Sequence, residues 1–176
     1  AMWKDRDGFA PRLAAILRSA QKVVTLTRNG VDAQFMAAAG VVPAYIPNAS
    51  AVPAPAGDFR SAYGIPADSF LILHVANLYW TKNHVGLLDS LQNMPASWKL
   101  VLVGKPTGTP DCAKAVMEKL AERPEVLYIP GLSREWVSAA MVAADVIVLS
   151  SLGEGSPNTI LEAMARMERV LGGEYI

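Results

Sequence analysis

The chain has 176 residues, 52% of them hydrophobic, and its 16 Lys+Arg balance its 16 Asp+Glu. That length suits one ordinary domain, or one domain with an appendage, and the absence of a basic excess argues against a protein that coats nucleic acid. The lone cysteine, Cys112, can close no internal disulfide, fits a reducing compartment and excludes a multi-cysteine zinc site.

The N-terminal AMWKDRDGFAPRL is charged early and lacks a signal-peptide core. No apolar run reaches the roughly 18 residues that cross a bilayer, so a soluble, cytoplasmic polypeptide is expected. Residues 9–22 place Phe9, Leu13, Ile16, Leu17 and Ala20 on one helical face, predicting a helix packed on a core. VVTL, Val23 to Leu26, reads as a short strand. Asn29 to Gly40 reads as a helix stopped by its glycine. AYIP follows as a brief extended segment. Pro47 to Asp58, PNASAVPAPAGD, has no apolar period and is the best linker candidate.

Beyond it, strands and helices alternate. FLILHVA (Phe70 to Ala76), KLVLVG (Lys99 to Gly104), VLYI (Val126 to Ile129) and DVIVLSS (Asp145 to Ser151) are strands. His84 to Asn93, Asp111 to Glu122, Ser133 to Ala144 and about Pro157 to Arg166 are helices, with Ser133 and Ser156 as caps. Strands apolar on both faces belong to a parallel sheet covered by helices. The alternation predicts an α/β fold with a doubly wound parallel sheet. Such sheets bind ligands outside the carboxyl ends of their strands. Here those ends are ANLYWTKN, GKPTGTP, PGLS and SLGEGSP.

Several motifs fail. There is no G-x-G-x-x-G, H-E-x-x-H, C-x-x-C or G-x-S-x-G. GKPTGT has no glycine five residues before Gly104 and a proline after its lysine, so it is not a P-loop. SSLGEGSPNTILEAMA, Ser150 to Ala165, is more informative. Ser156 and Pro157 would open a helix whose first amides, at Asn158 and Thr159, either suit an anion or are served in part by the Ser156 cap alone. Glu154 in the turn would face a neutral or cationic group. Glu162 either meets a pair of vicinal hydroxyls, as on a ribose, or is a surface residue on the polar edge of the helix. Lys82 could neutralise a diphosphate or simply be solvated. His84 reads as a helix-starting residue and His74 as a satisfied core residue.

Together, the lysine after the first strand, LVLVG, PGLS, ADVIVLSS and EGSPNTILEAMA resemble the nucleotide-sugar-binding half of the retaining GT-B glycosyltransferases, family 4 in particular. The resemblance covers roughly Val41 to Ala165. It implies a Rossmann-like domain, one half of a GT-B architecture. It implies that Lys82 holds the donor diphosphate and that Glu154 lies near the transferred sugar. It further implies that Gly155, Ser156, Asn158 and Thr159 meet sugar and phosphate. Glu162 would bind the ribose, and Gly131 and Leu132 would line the base. Neither metal nor cofactor is implied; the donor, UDP- or GDP-linked, is a substrate.

The chain departs from the family pattern where Ala76-Asn77 replaces glycine-arginine, which puts Asn77 in the diphosphate site. PNA replaces the usual PNG in the linker, and VLGGEYI looks like a shortened version of the next strand and loop. The expected organisation is a remnant of an N-terminal domain over 1–46, a linker over 47–58 and a donor domain over 59–176, truncated at its C-terminal end. The missing N-terminal domain would carry the acceptor site, and membrane contact would come only through the full-length protein if the acceptor is a lipid. Two other readings stand beside this one: a sugar-nucleotide epimerase of related fold, and a non-catalytic module binding nucleotide or a partner protein.

Overall fold

The computed structural model describes residues 8–171, with side chains to residue 166. The chain divides into two compact units, Ala1–Ala49 and Ser50–Ile176. The first holds α1 (Phe9–Ser19), β1 (Val24–Thr25), α2 (Val31–Ala38) and β2 (Ala44–Tyr45). Its two strands pair in parallel, Val24 with Ala44 and Thr25 with Tyr45. Asp32 ties α2 to β1 by accepting from the hydroxyls of Thr25 at 2.6 Å and Thr27 at 2.8 Å. Those bonds hold its carboxyl below the usual carboxylate range. Gly40, at φ +73°, ends the second helix region as the sequence predicts. The expected core-facing stripe of α1 is not borne out: none of its residues is buried, and Phe9 and Ile16 stay exposed. Two strands of two residues each offer that helix little apolar surface within the unit.

The second unit holds α3 (Phe59–Ala62), β3 (Phe70–Val75), α4 (His84–Ser90), β4 (Trp98–Val103), α5 (Pro110–Ala121), β5 (Val126–Ile129), α6 (Arg134–Ala143), β6 (Val146–Ile147) and α7 (Asn158–Leu171). Its strands form one parallel sheet in the order β5-β4-β3-β6. The sheet separates two apolar layers. Leu71, Leu73, Val101 and Val103 pack with Phe59 and with Ala139 to Met141 of α6. Ile72, Leu100 and Leu102 pack with Leu87 and Leu88 of α4 and Val116 of α5. Alternate residues of one strand thus face opposite layers, which is why these strands read as continuous apolar runs. This is the expected α/β fold.

Caps fix the helices. Thr109 accepts from the Cys112 amide at 3.4 Å and Ser133 from the Trp136 amide at 3.3 Å. The helix α7 opens one residue later than predicted: the Pro157 carbonyl accepts from the Ile160 and Leu161 amides, so Pro157, not Ser156, holds the cap position. It also continues to Leu171, taking in Val170 and Leu171 where a strand is expected. The rest of VLGGEYI lies outside the described residues.

The predicted linker divides at Ala49, and its later part is fixed to the second unit. The Pro53 carbonyl accepts from Ser138 at 2.8 Å and from Arg166, Ala51 accepts from Arg134 at 2.6 Å, and the Ala56 amide donates to Glu135 at 3.1 Å. A proline-rich chain supplies carbonyls without competing amides, which suits it to this strap.

At the amino end of the sheet, Arg60 donates to Ala143 at 3.1 Å, to Pro66 and Ser69, and to Asp145 at 2.9 Å. Asp145 in turn accepts from the Leu71 amide at 2.7 Å. The clamp aligns the start of β3 with the start of β6.

Candidate functional site

From β3 the chain winds outward to β4 and β5, then returns to β6 on the other side of β3. That reversal leaves a crevice at the carboxyl ends of β3 and β6, where doubly wound sheets take ligands. The ladder of β6 is shorter than the predicted Asp145 to Ser151 because its later residues are used elsewhere. The Val148 carbonyl meets His74 Nδ1 at 2.8 Å, and Ser150 Oγ donates to the Lys82 carbonyl at 2.8 Å. The segment therefore leaves the sheet and carries Glu154 back toward the loop after β3.

A cavity of about 400 Å³ occupies this crevice, a volume within the range of small-ligand sites. Lys82, Glu154, Ser156, Asn158, Thr159, Asn77, Gly131 and Leu132 all line it. Eight of the ten residues singled out in the sequence are thus brought together. Gly155 and Glu162 are not in its lining. Glu162 instead faces Arg134, at the start of α6, at 3.7 Å.

Lys82 ends a single 3-10 turn, Trp80–Lys82, closed by Asn83 at φ 53°, a left-handed geometry that asparagine tolerates. The turn is pinned to the returning segment, since the Leu152 amide donates to the Thr81 carbonyl at 2.8 Å. Lys82 Nζ donates to Glu154 Oε1 at 2.5 Å, and both side chains are about three-quarters covered, at 28% and 23% exposure. Burial alone would raise the Glu154 pKa. The Lys82 hydrogen bond, the Ser151 hydroxyl and the Lys82 charge outweigh that and hold it below its ordinary value.

The start of α7 is fixed to the sheet by Thr159, whose hydroxyl donates to the Val75 carbonyl at 3.0 Å. The positive end of the helix dipole therefore faces the cavity. Behind the wall, His74 and His84 meet edge to face at 4.7 Å. His84 Nε2 lies 3.2 Å from the Ala76 carbonyl, next to Asn77. Burial, the neighbouring His74 and the Lys82 charge push His84 down to about 4 despite that carbonyl, and burial lowers His74 too. Both rings are therefore neutral at physiological pH. His84 does begin α4; His74 lies in the core as expected but is only half satisfied, since among the described residues its Nε2 has no hydrogen-bond partner.

Sequence reasoning missed Lys105, Tyr79 and Leu149, which also line the cavity. For Lys105 the signal was present: GKPTGTP is one of the four strand ends picked out by topology. Among the described residues no cluster of His, Cys, Asp and Glu could hold a metal ion, and no helix is long and apolar enough to cross a membrane.

Residues 56–170 match the family described as "Glycosyl transferases group 1". "Putative glycosyltransferase EpsF" of Bacillus subtilis is 32% identical over 147 residues, 81% of this chain and 34% of the relative. "D-inositol 3-phosphate glycosyltransferase" of Xylanimonas cellulosilytica is 29% identical over 109 residues, 60% of this chain and 26% of the relative. The chain therefore spans about a third or less of the length of these relatives. Among solved structures, HepE of Anabaena in complex with UDP and glucose aligns with a TM-score of 0.72 at 20% identity, over 88% of this chain and 45% of that one. Sucrose-phosphate synthase of Thermosynechococcus elongatus aligns at 0.76 with 23% identity, over 92% of this chain and 43% of that one. At such identity the likeness establishes the fold, that of one half of a GT-B glycosyltransferase.

Proposed function

The chain belongs to the glycosyl transferases of group 1, and on that premise we propose that its second unit is the donor-binding half of a retaining enzyme of family 4 type, which transfers a sugar from a nucleotide-sugar. The observation that carries this reading is the Lys82–Glu154 pair. Two residues 72 positions apart meet at 2.5 Å in the crevice, beside the start of α7.

Breaking the bond between the anomeric carbon and the phosphate oxygen leaves negative charge on the nucleoside diphosphate. Lys82 and the positive end of α7 stabilise that charge without moving, so their effect is felt in the transition state. Glu154, kept ionised by Lys82, faces the positive charge that develops on the sugar ring. Gly155, Ser156, Asn158 and Thr159 meet sugar and phosphate. Gly131 and Leu132 border the base.

Glu162 takes the ribose hydroxyls. Its contact with Arg134 is long, and Arg134 is 66% exposed, so exchanging that contact for a ribose costs little. The acceptor site is assigned to the remainder of the complete enzyme, because the chain spans only part of its relatives. HepE is described in complex with UDP and glucose, which supports a UDP-linked donor here. The reaction is placed in the cytoplasm.

Calorimetric titration with UDP, GDP and their sugars tests the donor site. Binding of at least one nucleotide is expected; no binding of any at millimolar concentration would remove the reading. Anomeric analysis of the product made by the complete enzyme tests retention, and an inverted linkage would overturn it.

A further inference from the structure

The loop after β4 carries a charge that no role above uses. Of the ionisable side chains that sequence reasoning placed at the cavity, Lys82 and Glu154 balance each other's charge. Lys105 lines the same cavity, and among the described residues its ammonium has no hydrogen-bond or ion-pair partner. A wall holding one neutralised pair and one further cation favours an anion.

The backbone of Lys105 is fixed on several sides. The peptide joining Gly104 to Lys105 is held at both ends, by Tyr128 Oη donating to the Gly104 carbonyl at 2.9 Å and by the Lys105 amide donating to Asn77 Oδ1 at 3.0 Å. The Lys105 carbonyl accepts from the Leu78 and Thr107 amides, each at 2.9 Å. The loop lies so close to the chain leaving β3 that a Cβ at Gly104 would stand 1.9 Å from the Ala76 oxygen, and one at Gly108 would stand 2.0 Å from that of Leu78. Beyond this base, the aliphatic stem passes over Gly131, where a Cβ would lie 3.3 Å from Cγ and Cε of Lys105. A fixed base and a cleared path deliver the ammonium with little orientational freedom to lose.

Asn77 stands where the resemblance places an arginine, and its side-chain oxygen is engaged with the Lys105 amide. We infer that Lys105 is the second cation of the donor site. It binds the diphosphate of the nucleotide-sugar from the β4 side, while Asn77 serves as its positioning residue. This rests on the donor-site reading given above.

The test is calorimetry on this chain with UDP and GDP, each beside its nucleoside, at two salt concentrations. Lys105→Met should weaken the diphosphate that binds by about tenfold and flatten its salt dependence. The nucleoside should be unaffected, and Lys105→Arg should stay within about threefold of wild type. The exposed, unbonded ammonium predicts an unchanged melting temperature; if Lys105→Met misfolds, Lys105→Gln carries the comparison. Diphosphate binding within twofold of wild type in the neutral variant would overturn the inference, as would an equal loss for the nucleoside. Failure of the wild-type chain to bind either diphosphate is a different result: it removes the donor site and this inference with it.

Discussion

The two ends of the sheet in the second unit each carry a cation against a carboxylate, and they use it differently. At the amino end, Arg60 is held by four neighbours at once, Pro66, Ser69, Ala143 and Asp145. At the carboxyl end, Lys82 meets Glu154 alone among the described residues. An ammonium has three N–H donors, so Lys82 retains capacity for a ligand that Arg60 has spent on the fold. A charge saturated by its own backbone is architecture, and a charge with donors to spare beside a cavity is a site.

Replacing Arg60 should therefore give the largest effect on stability. Arg60→Met is expected to lower unfolding free energy by about 3 kcal/mol, read by urea denaturation, with nucleotide affinity little changed in the fraction that folds. A stability loss under about 1 kcal/mol would break the distinction between the two ends. Lys82→Met should do the reverse. Nucleoside diphosphate binding should weaken by about 2 kcal/mol, while stability falls by about 1 kcal/mol or less, the part-covered Glu154 being left unpaired; calorimetry and denaturation on one preparation settle both. Glu162→Gln comes next, with a loss of about 1 kcal/mol in UDP or GDP affinity, and unchanged affinity would take Glu162 out of the site.

A separate effect, on stability alone, concerns acid. His84 has its pKa lowered from 6.5 to about 4 and His74 is lowered too. The unfolded chain therefore binds protons that the folded chain refuses, and stability should fall as pH drops from about 6.5 toward 4. Glu154, also lowered, adds a loss at still lower pH, below the ordinary carboxylate value. A melting temperature flat between pH 7 and pH 5 would contradict the buried-histidine part of this account.

The sheet was legible because both faces of each strand are covered, so FLILHV and WKLVLV show no polar alternation to confuse with a helix. Ser133 was legible as a cap because its side chain acts locally, on the Trp136 amide. What escaped was decided by tertiary contacts. The short ladder of β6 follows from His74 and Lys82: Val148 keeps its amide on the Leu73 carbonyl but turns its own carbonyl to His74, and Ser150 turns to the Lys82 carbonyl. The strap at Pro53 depends on Ser138 and Arg166, more than eighty residues away in sequence. Glu162 was read from spacing, but its neighbour, Arg134, comes from another helix. Lys105 was set aside because GKPTGT fails as a P-loop, although its position at a strand end was in view. There topology outweighed the motif.

The paired histidines offer an internal gauge. The His84 ring, pushed down to about 4, stays neutral well below physiological pH, so a change in its imidazole NMR signals at pH 7 cannot come from titration. His84 touches the Ala76 carbonyl, one residue before Asn77. A ligand that tightens the loop on the far side of that peptide would shift the His84 resonance without ever contacting the ring. Occupancy could then be followed in solution with no added label.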